Sequence, residues 1–210
     1  MTSIDKRSDS VDGEIQGQDS SHATARTSAA SADASNSQME IGQTFHDSTY
    51  FNSRGAVRFL ISAIPLGSTI VNAQLQLTAQ SDFSVTNFNV EIVPISNDYF
   101  PIATYAEEIY DEILAAALDV IWRSTSGMAL ATPYTSPNLD VAHIQNAVDN
   151  ELVYVSYGIR SSRDSGNNTP TGDELIDLFC KNNGVIAYEP HLLIEYTENG
   201  RTRRATILGV

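Results

Sequence analysis

The sequence predicts a mostly β protein, an antiparallel β-sandwich of the jelly-roll type with one or two short helices inserted mid-chain. Apolar and polar residues alternate through several short segments between residues 56 and 197. Gly, Pro, Asn and Ser interrupt these segments, as they do between the strands of a sandwich. Only two segments, both mid-chain, have a helical period instead.

The clearest strand pair lies between residues 56 and 79. In AVRFLISAI, the side chains of Val57, Phe59 and Ile61 share one face. Pro65 and Gly67 predict the corner that follows. In IVNAQLQLTA the inward face is predicted to carry Val71, Ala73, Leu75, Leu77 and Ala79.

Further strands are predicted on both sides of the helical segments. In TNFNVEIVPI, Phe88, Val90 and Ile92 alternate with polar residues, and Pro94 ends the ladder or marks an edge. LVYVSYGIR alternates in the same way, with Val153, Val155, Tyr157 and Ile159 on one face. GVIAY and HLLIEYT are the last two candidates, the latter with Leu192, Ile194 and Tyr196 inward.

The first predicted helix covers TYAEEIYDEILAAAL, residues 104–118, where Thr104 and Glu107 fit a capping box. Its apolar stripe consists of Tyr105, Ile109, Ile113 and Ala117. The second helix is LDVAHIQNAV, residues 139–148, which Asp140 can cap. Its stripe consists of Val141, Ile144 and Val148.

Three parts of the chain differ in composition. Residues 1–37 include the Ser- and Ala-rich run 20–37 and are predicted to form an extended N-terminal arm and a first strand. Residues 38–197 are predicted to form the β-sandwich. Residues 198–210 form a basic and apolar tail, with Arg201, Arg203 and Arg204 ahead of ILGV.

Charge and hydropathy exclude several classes of protein. The 210 residues carry a net charge of −14, with a pI of about 4.4, so the chain repels the phosphates of a nucleic acid. The acidity is typical of a surface that keeps the protein soluble, or of one that docks on a basic partner or holds divalent cations. No apolar run approaches the length of a membrane span, and the N-terminus lacks the apolar region of a secretion signal. We therefore expect synthesis in a cytoplasm and no membrane partner.

Residues with chemical potential are sparse. Cys180 is the single cysteine, and its apolar neighbours predict a buried, inert thiol. The histidines have no metal-binding spacing and are predicted to be surface or structural residues: His22, His46, His143 and His191. No nucleophile elbow, P-loop or dinucleotide fingerprint is present. A Ser-His-Asp triad assembles only in space, so the sequence leaves it open. We assign no catalytic, cofactor-binding or metal-binding residue.

Three weaker patterns have alternative interpretations. The acidic run Glu107, Glu108, Asp111 and Glu112 is typical of a solvated helix face rather than of a glycosidase pair. The loop RDSGNNTPTGDE departs from an EF-hand, but it leaves open an irregular calcium site or a plain polar loop. The candidate calcium ligands are Asp164, Asp173 and Glu174. Aromatic residues near loops predict either a sugar-stacking platform or core positions: Tyr99, Phe100, Trp122 and Tyr134.

The order of these motifs resembles the DNRLRE-type domain, a jelly-roll β-sandwich akin to carbohydrate-binding modules. The similar phrases are AVRFLISAIPLGSTIVNAQLQL, VYVSYGIRSS and EPHLLIEYTE, and the resemblance extends over roughly residues 10–197. SVDGEIQ and HATARTSAAS resemble the opening of longer members more weakly, because His22 stands where an aromatic residue is expected. Such domains occur as binding modules of carbohydrate-degrading enzymes, in bacterial surface proteins and in phage structural proteins, so the resemblance implies a fold more than a role.

The expected function is that of a non-enzymatic structural or binding protein. The favoured form is an accessory component of a phage or phage-like virion, namely a capsid decoration, head-fibre or tail-associated protein. Its partners would be other virion proteins or copies of itself in a homo-oligomer, with a host-surface glycan as a further partner. The alternative is a carbohydrate-binding module or adhesin domain at a cell surface. An enzyme on the same sandwich, such as a polysaccharide lyase, is the third hypothesis.

Overall fold

The computed structural model describes residues 1–96 and 99–198, and strands dominate this part of the chain. The strands are β1 (Thr2–Arg7), β2 (Gly13–Asp19), β3 (Ser31–Asp33), β4 (Gln38–His46), β5 (Thr49–Leu60), β6 (Thr69–Asp82), β7 (Asn89–Ile95), β8 (Val120–Ser124), β9 (Pro133–Thr135), β10 (Tyr154–Ser161), β11 (Glu174–Phe179) and β12 (His191–Thr197). The α-helices are α1 (His22–Thr27), α2 (Ala106–Ala115), α3 (Val141–Asp149) and α4 (Ser162–Ser165). Two 3-10 turns follow β11, at Lys181–Asn183 and Ile186–Tyr188.

The strands form a curled antiparallel sheet. Its main path runs β1-β12-β6-β11-β4-β5-β10-β7-β8. Off this path, β2 pairs with β3 and β5, and β9 pairs with β6. All of these strand pairs are antiparallel. The predicted mostly β, antiparallel sandwich-like fold is therefore confirmed, and α2 and α3 are the two mid-chain helices.

The main hydrophobic core lies inside the curl. Strands from both halves of the sheet contribute to it, and α3 closes one side. The predicted inward residues of β6 and β12 are all buried here except one: Ala73, Leu75, Leu77, Ala79, Leu192, Ile194 and Tyr196 are buried, whereas Val71 is exposed. Burial of this alternating face holds the two halves of the sheet together.

The exception at Val71 has a local cause. Glu195 on β12 pairs with Asn72, but the next residue, Tyr196, pairs with Ile70. Val71 is thus the extra residue of a β-bulge, which shifts the alternation by one position. Ile70 takes the inward place and is 5% exposed, whereas Val71 is 45% exposed. The prediction that Val71 points inward is wrong for this reason.

A second, smaller core lies on the opposite face of β5, β7 and β10, under α2. Ile109, Tyr110 and Ile113 of α2 are fully buried against this face. Gly158 on β10 permits the close approach, because a Cβ there would lie 2.5 Å from Cγ1 of Ile113. Since helix and sheet each cover one face of β10, even its polar residues are buried, among them Arg160 at 5% exposure.

The helix ends agree only in part with the predictions. Asp140 caps α3 as predicted, with its Oδ1 accepting a hydrogen bond of 2.9 Å from the backbone N–H of Ala142. The capping box at Thr104 is wrong, because α2 begins at Ala106 after Tyr105, whose side chain makes no capping bond. The carboxylate of Glu107 instead accepts from the backbone N–H of Ala29, 2.7 Å away. Ala117 lies beyond the end of α2 and is exposed.

Two predictions around β11 differ from the structure. GVIAY is not a strand: Gly184 has φ +79°, and Ile186–Tyr188 form a 3-10 turn. The real strand, β11, lies just before it and was not predicted. Charged residues interrupt its apolar pattern, and Glu174 is buried because Arg163 and Gln43 bond to its carboxylate.

The N-terminal residues 1–37 hold strands β1, β2 and β3 and helix α1. β1 pairs with β12 and β2 pairs with β5, so this segment is built into the sheet. The buried guanidinium of Arg54 anchors it, because its Nη2 donates to the carbonyl of Arg26 at 2.7 Å. Of the predicted tail 198–210, only Glu198 belongs to the described residues; the arginine cluster and ILGV lie outside them.

Candidate functional site

The most promising site is a cleft of about 320 Å³ on the polar face of β2, β5, β4 and β11. Its lining consists of Gln16, Glu40, Thr44, His46, Phe51, Asp173 and Leu175. Strand register brings these residues together: Gln16 stands opposite Ser53, and Phe51 stands opposite Thr44. Residues paired across an antiparallel ladder point to the same face. We call this group of residues the polar cleft.

A hydrogen-bonded carboxyl pair, Glu14 and Glu40, lies next to the polar cleft, and Glu40 is one of the lining residues. The Oγ of Ser53 lies 3.2 Å from Oε1 of Glu14 and 3.0 Å from Oε1 of Glu40. Gln16 donates its Nε2 hydrogen to the same Oγ at 3.0 Å. The backbone N–H of Glu40 donates to Oε2 of Glu14 at 2.9 Å. The pair therefore joins β2 to β4 across β5.

Burial raises the pKa values of these carboxyl groups. Desolvation is the largest cause for Glu40 and, with the nearby charge of Glu14, raises its pKa to about 7. The pKa of Glu14 is also raised, chiefly by burial and further by the charge of Asp177. Asp177, which pairs with Glu40 in the sheet register, has a pKa raised by burial.

The chemistry of the polar cleft is that of hydrogen bonding to a polar ligand. Gln16 and Thr44 offer an amide and a hydroxyl, Glu40 and Asp173 offer carboxyl oxygens, and the half-buried ring of Phe51 offers an apolar surface. A glycosidase reaction does not fit, because the hydroxyl of Ser53 lies between the two carboxyl groups, where a sugar ring would have to sit.

The three candidate calcium ligands have other partners. Both carboxylate oxygens of Asp164 accept from the guanidinium of Arg54, at 2.7 and 3.0 Å. Glu174 is bonded by Arg163, and Asp173 accepts from the hydroxyl of Thr44 at 2.6 Å. Within residues 1–96 and 99–198, no group of three or more His, Cys, Asp or Glu side chains is placed to hold a metal ion.

The predicted aromatic platform is not assembled in one place. Trp122 is 5% exposed and donates its indole N–H to the carbonyl of Tyr134. Phe100 is 8% exposed in the core under α2, and Tyr99 lies beside Tyr105 in the same region. These four residues are therefore mainly structural, and the aromatic residue at the polar cleft is Phe51.

The histidines and the cysteine lie apart from one another. Nε2 of His143 donates to the carbonyl of Ser156 at 3.0 Å, and burial lowers the pKa of this imidazole. His191 lies 2.8 Å from Oδ1 of Asp5. His46 is exposed at the rim of the polar cleft, beside Asp47. Cys180 is fully buried, as predicted, and burial raises the pKa of its thiol.

Sequence reasoning missed the carboxyl pair. Glu14, Glu40 and Ser53 lie on different strands and share no motif. The usable signal was the alternation in DGEIQGQ, where the polar residues Glu14, Gln16 and Gln18 alternate with Ile15 and Gly17 and predict a polar sheet face.

No protein family model matches the chain, and no curated protein is significantly similar to it. Across the described residues, no helix is both long and apolar enough to cross a membrane.

Proposed function

We propose that this chain is a non-enzymatic structural protein, an accessory component of a phage or phage-like particle such as a decoration, head-fibre or tail-associated protein. Its partners would be other virion proteins or copies of itself, and its location would be the virion. The proposal includes membership of the DNRLRE-type jelly-roll domains. The phrases that carry this resemblance fall on β5 and β6, on β10 and on β12, which all belong to the curled sheet.

The observation that supports assembly is the apolar edge at β8. This strand is the last in the sheet path and pairs with β7 along one side. Ile121 on β8 is 43% exposed, and Leu118 just before it is 46% exposed. An edge strand with exposed aliphatic side chains is suited to pairing with a strand of another chain. β1, at the other end of the path, offers a second edge.

Two measurements test this proposal. Particles purified from a culture that produces the protein should contain the chain at a fixed, high copy number by quantitative mass spectrometry. In solution, Ile121→Lys should reduce self-association or particle incorporation at least tenfold, because a lysine at an edge blocks strand pairing. The matched control is Val185→Lys, an exposed residue outside the sheet. Absence of the chain from purified particles would end the proposal.

A second candidate function is binding of a polysaccharide, and the polar cleft favours it. Amide, hydroxyl and carboxyl groups beside an aromatic ring match the hydroxyls and apolar faces of a sugar. Binding of single sugars in open clefts is weak, with dissociation constants on the order of millimolar. Under this function the protein is an adhesin or the glycan-contacting part of a particle surface.

A glycan array followed by NMR titration tests this second function. Phe51→Ala should weaken binding by about tenfold, as expected for loss of a stacking contact of roughly 1.4 kcal/mol. Phe83→Ala is the control, because Phe83 is 53% exposed and lies outside the polar cleft. Equal affinity of the two variants, or no binding to any glycan at millimolar concentration, would contradict a sugar site at the polar cleft.

A further inference from the structure

The hydrogen bonds around Ser53 cannot all form as separate two-centre bonds unless a carboxyl group carries a proton. A serine hydroxyl has one hydrogen to donate and two lone pairs that accept. Its Oγ lies within hydrogen-bond distance of both Glu14 and Glu40, so it donates to only one of them. The other contact is a hydrogen bond only if that carboxyl group donates to Oγ. Gln16 fills the second acceptor position of Ser53.

The surroundings identify which carboxyl group is ionised. Glu14 accepts from the backbone N–H of Glu40 through Oε2, and from Gln16 at 3.4 Å through Oε1. These donors stabilise a carboxylate. Among the hydrogen bonds described here, the carboxyl group of Glu40 takes part only in the contact with the Oγ of Ser53. The satisfied arrangement has Glu14 ionised and Glu40 protonated, with Glu40 donating to Ser53 and Ser53 donating to Glu14.

The charged groups nearest to the pair also disfavour a second negative charge. Asp177 on β11 acts on both glutamates, Asp173 before β11 acts on Glu40, and Asp33 on β3 acts on Glu14. On β4 itself, Gln38 bonds to Asp177, and His46 at the far rim is paired with Asp47. Burial and these negative charges both favour protonation of one carboxyl group. They therefore agree with the hydrogen-bonding requirement at Ser53.

We propose that Glu14 and Glu40 share a single proton through Ser53, and that release of this proton weakens the join between β2 and β4 and adds a charge to the polar cleft. The device is independent of whether the protein is a virion component or binds a glycan. Once Glu40 is ionised, it no longer donates to Ser53 and is repelled by Glu14. The polar cleft then has two states that differ by one charge and one strand-to-strand hydrogen bond.

The direct test follows the side-chain carboxyl carbons by NMR as a function of pH. Glu40 should titrate with a midpoint at least about 1.5 units above 4.5, the ordinary value for a glutamate side chain. Glu108, an exposed glutamate of α2, is the control residue for the stability measurement below. In Glu14→Gln, the midpoint of Glu40 should fall by at least about one unit, because the neighbouring charge is removed. A midpoint of Glu40 close to the ordinary value of 4.5, or one unaffected by Glu14→Gln, would overturn the shared proton.

The effect on the strand join is measured by stability and amide exchange. The folded pKa of Glu40 is raised, so its contribution to stability is full below the unfolded value of 4.5 and is lost as pH rises toward 7. The melting temperature of the wild type should therefore fall relative to that of Glu40→Gln across this window, whereas Glu108→Gln should track the wild type. Protection of the Glu40 amide should fall across the same window in the wild type only. Parallel curves for wild type and Glu40→Gln would overturn the switch.

Discussion

The buried ion pair between Arg54 and Asp164 gives the sharpest prediction about the fold. Both side chains are 0% exposed, and Nε of Arg54 lies 2.7 Å from Oδ2 of Asp164. The guanidinium also donates to the carbonyls of Tyr110 and Arg26, and it lies 3.7 Å from the ring centroid of Tyr110. One residue thus ties β5 to α1, α2 and α4. Arg54→Met keeps an apolar stem but removes every one of these polar contacts.

The expected loss of folding stability in Arg54→Met follows from the buried carboxylate of Asp164, which loses its main partner. Removing one partner of a buried pair costs about 3–5 kcal/mol, because the other charge remains desolvated. Arg26 and Asn52 still bond to Asp164, which favours the lower part of this range. At about 2–4 °C per kcal/mol for a chain of this length, the melting temperature should fall by about 6–20 °C. Urea unfolding followed by the fluorescence of Trp122 measures the same quantity as a free energy.

Two comparisons make this result interpretable. Arg7→Met removes an arginine that is 44% exposed and pairs with Glu189, so it should cost less than about 1 kcal/mol. In a background of Asp164→Asn, the substitution Arg54→Met should lower the free energy of unfolding by at least about 1 kcal/mol less than in the wild type, because a neutral amide has already replaced the carboxylate. If Arg54→Met costs no more than Arg7→Met, the buried pair is not what holds α1 and α2 to the sheet.

Three further predictions concern other parts of the fold. Gly17→Ala should prevent α1 from docking and cost more than about 3 kcal/mol by chemical denaturation, because the added Cβ would lie 1.8 Å from the carbonyl oxygen of Ala25; wild-type stability would contradict this. Burial raises the pKa of Asp12 to about 6, so its contribution to stability is lost as pH rises from 3.8 to 6, and Asp12→Asn should flatten that part of the pH–stability curve. Cys180 should react with a thiol reagent only as fast as the protein unfolds, and rapid modification of the native protein would refute its burial.

The sequence predicts strands and their inward residues best where one face of the strand is buried and the other is exposed to solvent. β6 and β12 meet this condition, and their inward residues were identified except at Val71, where a bulge in the pairing with β12 has no sequence marker. The cap of α3 was also identified, because the signal of Asp140 is local. Predictions of this kind depend on neighbours along the chain, which the sequence displays directly.

The prediction fails where tertiary contacts override the local pattern. In the sequence, the charged residue Glu174 predicts a loop rather than the strand β11. In the folded protein, Arg163 and Gln43 donate hydrogen bonds to its carboxylate, and Glu174 is buried in the strand. The carboxyl pair could not be predicted for the same reason. Glu14, Glu40 and Ser53 become neighbours only through the pairing of β2 and β4 with β5. Buried charges and shared protons are properties of the folded chain, and no spacing in the sequence encodes them.

The two faces of β5 differ in what they carry: the buried ion pair lies on one face and the polar cleft on the other. Arg54 points into the network that holds α1 and α2, whereas Phe51 and Ser53 belong to the opposite face at the polar cleft. Adjacent residues of a strand point to opposite sides of the sheet, so substitutions at Phe51 alter the cleft without breaking the buried ion pair. Loss of binding in Phe51→Ala with an unchanged melting temperature therefore measures the cleft alone. Loss of both in Arg54→Met measures the scaffold on which the cleft is built.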